Sequence, residues 1–233
     1  MREHFAIAID GPSGAGKSSL AQRCAEAYGI IYVDTGAIYR TVGLAAYRQG
    51  IDRKDEAAVS SILPQLRIEM RYDESGEQRM YLNGEDVSRD IRMPEISICA
   101  SDVSALPSVR SYLLEMQRQL ARENNVIMDG RDIGTVVLPD AKLKIFLTAS
   151  AQARAERRMK QLAEKGVAAD FEEVLRDIQY RDAQDSGRKT APLKPADDAV
   201  YLDTTEIDFE ASFAKMCQII HEHLGIELPE AQS

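Results

Sequence analysis

Five short apolar runs punctuate the chain: FAIAID (5–10), IIYVD (30–34), VIMD (126–129), LKIFLT (143–148) and AVYLDT (199–204). Runs of this length and continuity are what parallel strands covered on both faces require. Several end on Asp or Thr, where a buried strand hands over to a polar loop. Between them the apolar residues fall at helical spacing, which predicts helices over 17–28, 37–49, 109–123, 151–164, 171–184 and 209–224. Such alternation of strand and helix implies a parallel sheet with helices on both faces. One stretch breaks the rhythm. LRIEMRYDESGEQRMYLNGEDV (66–87) alternates apolar with polar residues on either side of a DESGE turn and carries a second turn at Asn83-Gly84. That pattern predicts a small antiparallel unit, inserted over the C-terminal edge of the sheet, where open α/β folds bind ligands. The chain has no internal repeat, and its last residues, LPEAQS, read as a loose tail.

Composition narrows the picture without changing it. A chain of 233 residues with 44% apolar and 29% charged side chains can bury a sizeable core as one large α/β domain with insertions. The 29 basic against 38 acidic residues give a net charge of -9, which argues against a general affinity for nucleic acid or anionic membrane. Any anion site must therefore be local. Cys24, Cys99 and Cys217 are far apart, odd in number and in no C-x-x-C arrangement. They suit a reducing compartment and are expected to be buried apolar residues. The N-terminal apolar run is too short for a signal-peptide core or a span, and no other stretch approaches the length a span needs, so a cytosolic location is expected.

The chemistry begins at residues 11–18, GPSGAGKS, which match G-x-x-x-x-G-K-[ST] with Gly11, Gly16, Lys17 and Ser18 between a strand and a helix. In such a loop the backbone N–H groups face a polyphosphate and the helix adds its positive end. Lys17 is expected to reach the outer phosphates and the Ser18 hydroxyl to ligate Mg²⁺. Pro12, Ser13, Gly14, Ala15 and Ser19 complete the candidate ATP loop. A nucleotide-hydrolysing motor places Glu after the Asp that ends its Walker B strand, whereas VIMDGRD places Gly130 after Asp129. This favours transfer over hydrolysis. A GTP switch needs N-K-x-D to read guanine, and the chain holds no such tetrapeptide. Asp129 could orient magnesium-bound water or make a structural hydrogen bond to the phosphate loop.

An acceptor that is itself a phosphate must be held against the repulsion of the donor, and arginine does this best because its planar fork stays charged and binds oxygens in pairs. Arg40 in DTGAIYR, Arg131 in DGRD and Arg188 in RDAQDSGR stand near predicted strand or helix ends. Arg181, Asp185 and Arg188 would share one face of a helix that continued to Arg188. The same spacing suits a surface helix laced with ion pairs. Arg154, Arg157 and Arg158 form a basic stripe, either a solvated face or a lid over the donor. His4, His221 and His223 lie near the termini and are expected to face solvent.

Taken together, GPSGAGKS, DTGAIYR, DGRDIGTVV followed by PDA, KIFLTAS, RDAQDSGR and APLKPADDA resemble bacterial cytidylate kinase, in register from about residue 5 to 222. The resemblance implies ATP-dependent phosphorylation of CMP and dCMP with Mg²⁺, by a monomeric, cytoplasmic P-loop enzyme that needs neither nucleic acid nor membrane. It implies a five-stranded parallel core (about 1–35, 105–150 and 190–233), an acceptor part (about 36–104, with the β insertion at 66–87) and a lid (about 151–188). By the same resemblance Arg40, Arg131 and Arg188 would hold the acceptor phosphate. Thr35, Arg110 and Asp132 would read cytosine, and Ser101, Arg181 and Asp185 would hold the ribose. Thr35 stands where some members carry serine. Lys17, Asp129, Arg131 and Arg188 would be catalytic, and Arg157 would join the ATP site. The residues alone leave two other readings open: a P-loop kinase of another small acceptor, and an ATP-binding regulatory module without catalysis.

Overall fold

The computed structural model describes residues 4–74, 76–164 and 166–228. Ser75 of the DESGE turn and the tail from Pro229 lie outside the described residues. The chain divides into two compact units, one formed by Met1–Tyr32 with Ala121–Ser233 and the other by Val33–Leu120.

The main sheet has five strands, β1 (Ala6–Asp10), β2 (Ile31–Asp34), β6 (Val126–Gly130), β7 (Leu143–Thr148) and β8 (Val200–Asp203), in the order β2-β6-β1-β7-β8. β1 runs parallel to both β6 and β7, and β7 to β8. The parallel α/β sheet expected from the apolar runs is therefore present. In the larger unit α1 (Lys17–Tyr28), α6 (Ala151–Glu164), α7 (Phe171–Ser186) and α8 (Phe209–Leu224) accompany the strands. Its core joins Ile7, Ile9, Leu20, Cys24, Ile127, Ile145, Leu147, Leu202, Met216 and Ile220. Truncating one such buried Ile or Leu to Ala costs about 2–5 kcal/mol. Asp170 and Asp208 begin α7 and α8 by accepting the N–H of Glu173 and Ala211, which satisfies helix-start donors that have no partner within the helix. All three cysteines are free and buried, as expected.

The second unit contains α2 (Thr35–Arg48), α3 (Glu56–Ile62), α4 (Pro94–Ser104) and most of α5 (Pro107–Glu123). Here too lies the antiparallel sheet β3 (Ile68–Tyr72), β4 (Gln78–Leu82) and β5 (Glu85–Asp86). The alternation in 66–87 thus yields an antiparallel unit, with Met70 paired to Met80. α3 and α4 fall where no helix is expected from spacing. α7 stops at Ser186, so the helix does not continue to Arg188.

Candidate active site

The phosphate loop joins β1 to α1. Gly11 has φ 153° and lies so close to β7 that a Cβ would sit 1.9 Å from the Leu147 carbonyl oxygen, which no side chain could tolerate. Gly16 takes a left-handed conformation just ahead of α1. Lys17 is buried and donates from Nζ to the Pro12 carbonyl at 2.8 Å, curling back over its own loop. Burial, reinforced by the Arg131 charge, pushes its pKa down to about 7, against the opposing pull of Asp129, Asp10 and Asp185. Those four groups therefore share one electrostatic neighbourhood with the loop.

Asp129, near the end of β6, is buried and accepts from Ser18 Oγ and from Tyr32 Oη, each at 2.9 Å. Of the two roles weighed for Asp129, the bond to the phosphate loop is present. Tyr32 escapes a sequence reading because its bond joins residues 97 positions apart; a polar-tipped aromatic inside an apolar run was the only signal. Beyond β6 the chain turns through Arg131 and the buried Asp132 into a single π-helical turn, Ile133–Val137. The N–H groups of Val137 and Leu138 reach back five residues, to the carbonyls of Asp132 and Ile133. Such turns are rare and occur often at functional sites.

Asp185 binds two of the three candidate acceptor arginines: Arg131 Nε donates to one carboxylate oxygen at 2.7 Å and Arg188 Nη2 to the other at 2.5 Å. Arg188 reaches Asp185 from beyond the helix end, so this pair forms without the shared helical face expected for Arg181, Asp185 and Arg188. Arg181 is exposed while Asp185 is buried, so these two do not present one common surface.

The arginines of α6 separate into three environments rather than one stripe. Arg154 is buried, donating to the Ala149 and Ser13 carbonyls and pairing with Asp182 at 2.6 Å. It ties the phosphate loop to α6 and α7. Arg157 is half-buried and donates to the carbonyls of Thr204 and Ile207 and to the Thr204 hydroxyl, while Arg158 is exposed. The described histidines are exposed.

Within the second unit, Thr35 is buried at the start of α2. The Asp34 side chain accepts from the Ala37 N–H at 3.0 Å and lies 3.7 Å from Arg40. Gln78 of β4 accepts from the Asp34 N–H at 2.8 Å and donates to its carbonyl at 3.3 Å, so the antiparallel sheet grips the backbone just ahead of Thr35. Arg110 is buried, donates to the Ser104 carbonyl at 3.0 Å and lies 5.4 Å from the ring centre of Tyr39. Ser101 is half-buried on α4. Gln78, like Tyr32, has no local sequence signal, because its partner is distant along the chain.

A phosphate loop of this form, at the head of a central strand in a parallel sheet, defines a P-loop nucleotide-binding protein. A crystal structure of an uncharacterized protein from Eubacterium ventriosum shares the fold with a TM-score of 0.54 at 14% identity, covering 94% of this chain and 99% of that one. Residues 7–222 match the family model described as cytidylate kinase. The cytidylate kinase of Lactobacillus johnsonii is 49% identical over 93% of this chain and 94% of its own length. That of Pasteurella multocida is 44% identical over 97% of this chain and all of its own. The chain belongs to the cytidylate kinase family.

Proposed function

We propose that the chain transfers the γ-phosphoryl group of ATP to CMP and dCMP. Family membership across residues 7–222 is the observation that carries this reading, and the cluster of Lys17, Arg131, Asp185 and Arg188 beside the phosphate loop supports it. Phosphoryl transfer needs in-line placement and charge neutralisation more than a covalent nucleophile. Lys17 binds the outer phosphates of ATP, exchanging its bond to the Pro12 carbonyl for phosphate oxygens. Arg40, Arg131 and Arg188 hold the acceptor phosphate, and Asp185, with Ser101 and Arg181, the ribose. Arg157 joins the ATP site.

Thr35, Arg110 and Asp132 read cytosine. A carboxylate accepts from the exocyclic amine of cytosine but opposes the carbonyl that uracil carries there, and a site built on such a bond rejects the analogue strongly. The donor set fits Mg²⁺ arriving with ATP. Ser18 donates a hydrogen bond to Asp129, which leaves the hydroxyl lone pairs for the ion, and among the described residues no cluster of three or more His, Cys, Asp or Glu forms a metal cage. Ser18 would hold Mg²⁺, with Asp129 orienting its hydroxyl, and the ion when bound would supply charge neutralisation to the phosphate oxygens. A cytoplasmic monomer is the setting this reading takes; among the described residues no helix is long and apolar enough to cross a membrane.

The test is ADP release measured by a coupled assay with CMP, dCMP, UMP, AMP and GMP as acceptors. Turnover is expected with the two cytidine nucleotides first. Preference for another monophosphate would turn the reading to a P-loop kinase of another acceptor, and ATP binding without turnover on any of them would turn it to a regulatory module.

A further inference from the structure

Asp10 is the last residue of β1, and the sheet register sets it opposite Gly130, the last residue of β6. Its buried carboxylate therefore faces the turn that leaves β6. One oxygen accepts the N–H of Ile133 and the other that of Gly134, both at 2.7 Å. These are the two residues that follow Arg131 and Asp132. Gly134 packs so tightly that a Cβ there would lie 3.3 Å from the Asp10 carboxylate and 3.2 Å from the stem of Lys144.

A carboxylate is an expensive way to hold two amides in a buried place. Burial raises the Asp10 pKa to about 6, although both N–H groups and Lys17 work to lower it. Neither an apolar residue nor an amide could serve instead. The first accepts nothing, and the second would turn an NH₂ group toward one of the two N–H donors. A two-oxygen acceptor at this point fixes the first amides of the π-helical turn, and with them the exit direction of the chain through Arg131 and Asp132.

We propose that Asp10 is a positioning residue for the acceptor site: by holding the Ile133 and Gly134 amides it sets the aim of Arg131 and Asp132. The assignment rests on the CMP kinase reading above. Asp10 bonds directly to the turn after β6 and reaches the phosphate loop only through its charge on Lys17, so its loss falls on the acceptor more than on the donor.

The test is steady-state kinetics of Asp10→Asn, Asp10→Ala and Gly134→Ala with CMP and ATP varied separately, together with melting curves and hydrogen exchange over residues 131–137. Asp10→Asn keeps one acceptor and should raise the KM for CMP about tenfold, and Asp10→Ala should raise it further. The KM for ATP should stay within about twofold in both. Exchange over 131–137 should quicken in the same order. Gly134→Ala leaves the carboxylate in place but crowds it, and it carries the test if Asp10→Ala does not fold; its KM for CMP should rise while that for ATP holds. Equal rises in both KM values, or a folded Asp10→Asn protein with unchanged CMP kinetics and unchanged exchange, would overturn the proposal. A wild-type protein that ignores CMP would overturn the functional reading instead, while the exchange data would still report whether Asp10 holds the turn.

Discussion

The two units use charge in opposite ways. In the larger unit Asp10, Lys17, Asp129, Asp132, Lys144, Arg154 and Asp185 are all buried. In Val33–Leu120 the described buried charge is Arg110; the Arg40–Asp34 and Arg53–Asp102 pairs are half-buried, and other ionic groups form surface clusters. Arg48 joins Glu85 and Asp90, Arg67 and Arg71 share Glu69, and Arg79 joins Asp73 and Glu77. Burying an ion costs several kcal/mol even after relaxation, whereas exposed pairs contribute about 0–1 kcal/mol. Fixed buried charges are also what stabilise a reacting phosphoryl group, because they need no reorganisation as the reaction proceeds. The costly charges are thus concentrated around the phosphate loop, and substitutions in the two units should differ in kind as well as in size.

Lys17→Met should show the largest effect. Loss of a cation on the transferring group should lower kcat by about 10³-fold or more at saturating CMP and ATP, read by coupled ADP release. The fold should survive, since a buried cation is replaced by an apolar chain of similar length. A pH signature accompanies the loss. Lys17 has its pKa pushed down to about 7 in the fold, against 10.5 in the unfolded chain. Between those values the unfolded chain holds a proton that the folded one lacks, so the Lys17 contribution to stability rises with pH. Wild type should therefore gain on Lys17→Met as pH rises from about 7 toward 10, in melts without added nucleotide. A flat difference would place the lysine in a more solvated setting and weaken the contrast between the units.

Arg188→Ala should come next. Asp185 would keep Arg131 as its partner, so no buried carboxylate is stranded. A charge-assisted hydrogen bond is worth about 1.5–3 kcal/mol, which corresponds to a rise of roughly 10- to 150-fold in the KM for CMP. The KM for ATP should stay near wild type, and unchanged CMP kinetics would return Arg188 to a structural ion pair. Tyr32→Phe should be milder. It removes one donor to Asp129 and leaves that of Ser18, so a stability loss of about 1 kcal/mol is expected by denaturant titration. A loss above about 3 kcal/mol would mean that Tyr32 and Ser18 hold Asp129 as one cooperative unit.

How much of this was legible in the sequence follows from the range of the interactions. The phosphate loop was, because its steric demands fall on consecutive residues such as Gly11. The limits of α1, α6 and α8 matched the apolar spacing to the residue, since each helix presents one regular apolar face. α3 was hidden because seven residues carry too little periodicity, and α4 because its buried positions are interleaved with Ser and Asp. The π-helical turn has no spacing signature and depends on Asp10, more than 120 residues earlier. Arg154 looked like its neighbours Arg157 and Arg158, and only the fold distinguishes a guanidinium locked between Ser13, Ala149 and Asp182 from one in solvent. Candidate residues in local motifs carry a sequence signal; side chains whose partners lie far along the chain carry none.

Arg48→Ala should have the smallest effect and gives the sharpest test of the contrast. Arg48 makes short hydrogen bonds to both Glu85 oxygens and to Asp90, at 2.6–2.9 Å. By geometry alone this is among the best-formed ion clusters in the protein. The side chains are nonetheless 36%, 58% and 42% exposed for Arg48, Glu85 and Asp90, so water screens the attraction and ordering three long side chains offsets part of it. The expected loss is therefore at most about 1 kcal/mol, read from denaturant midpoints at low salt. It should shrink further in about 1 M salt, where the screening length falls to about 3 Å. Kinetics toward CMP and ATP should not change. A loss above about 2 kcal/mol that persists in high salt would show that short geometry outweighs exposure here, and the line drawn between the two units would then have to follow hydrogen-bond quality instead of burial.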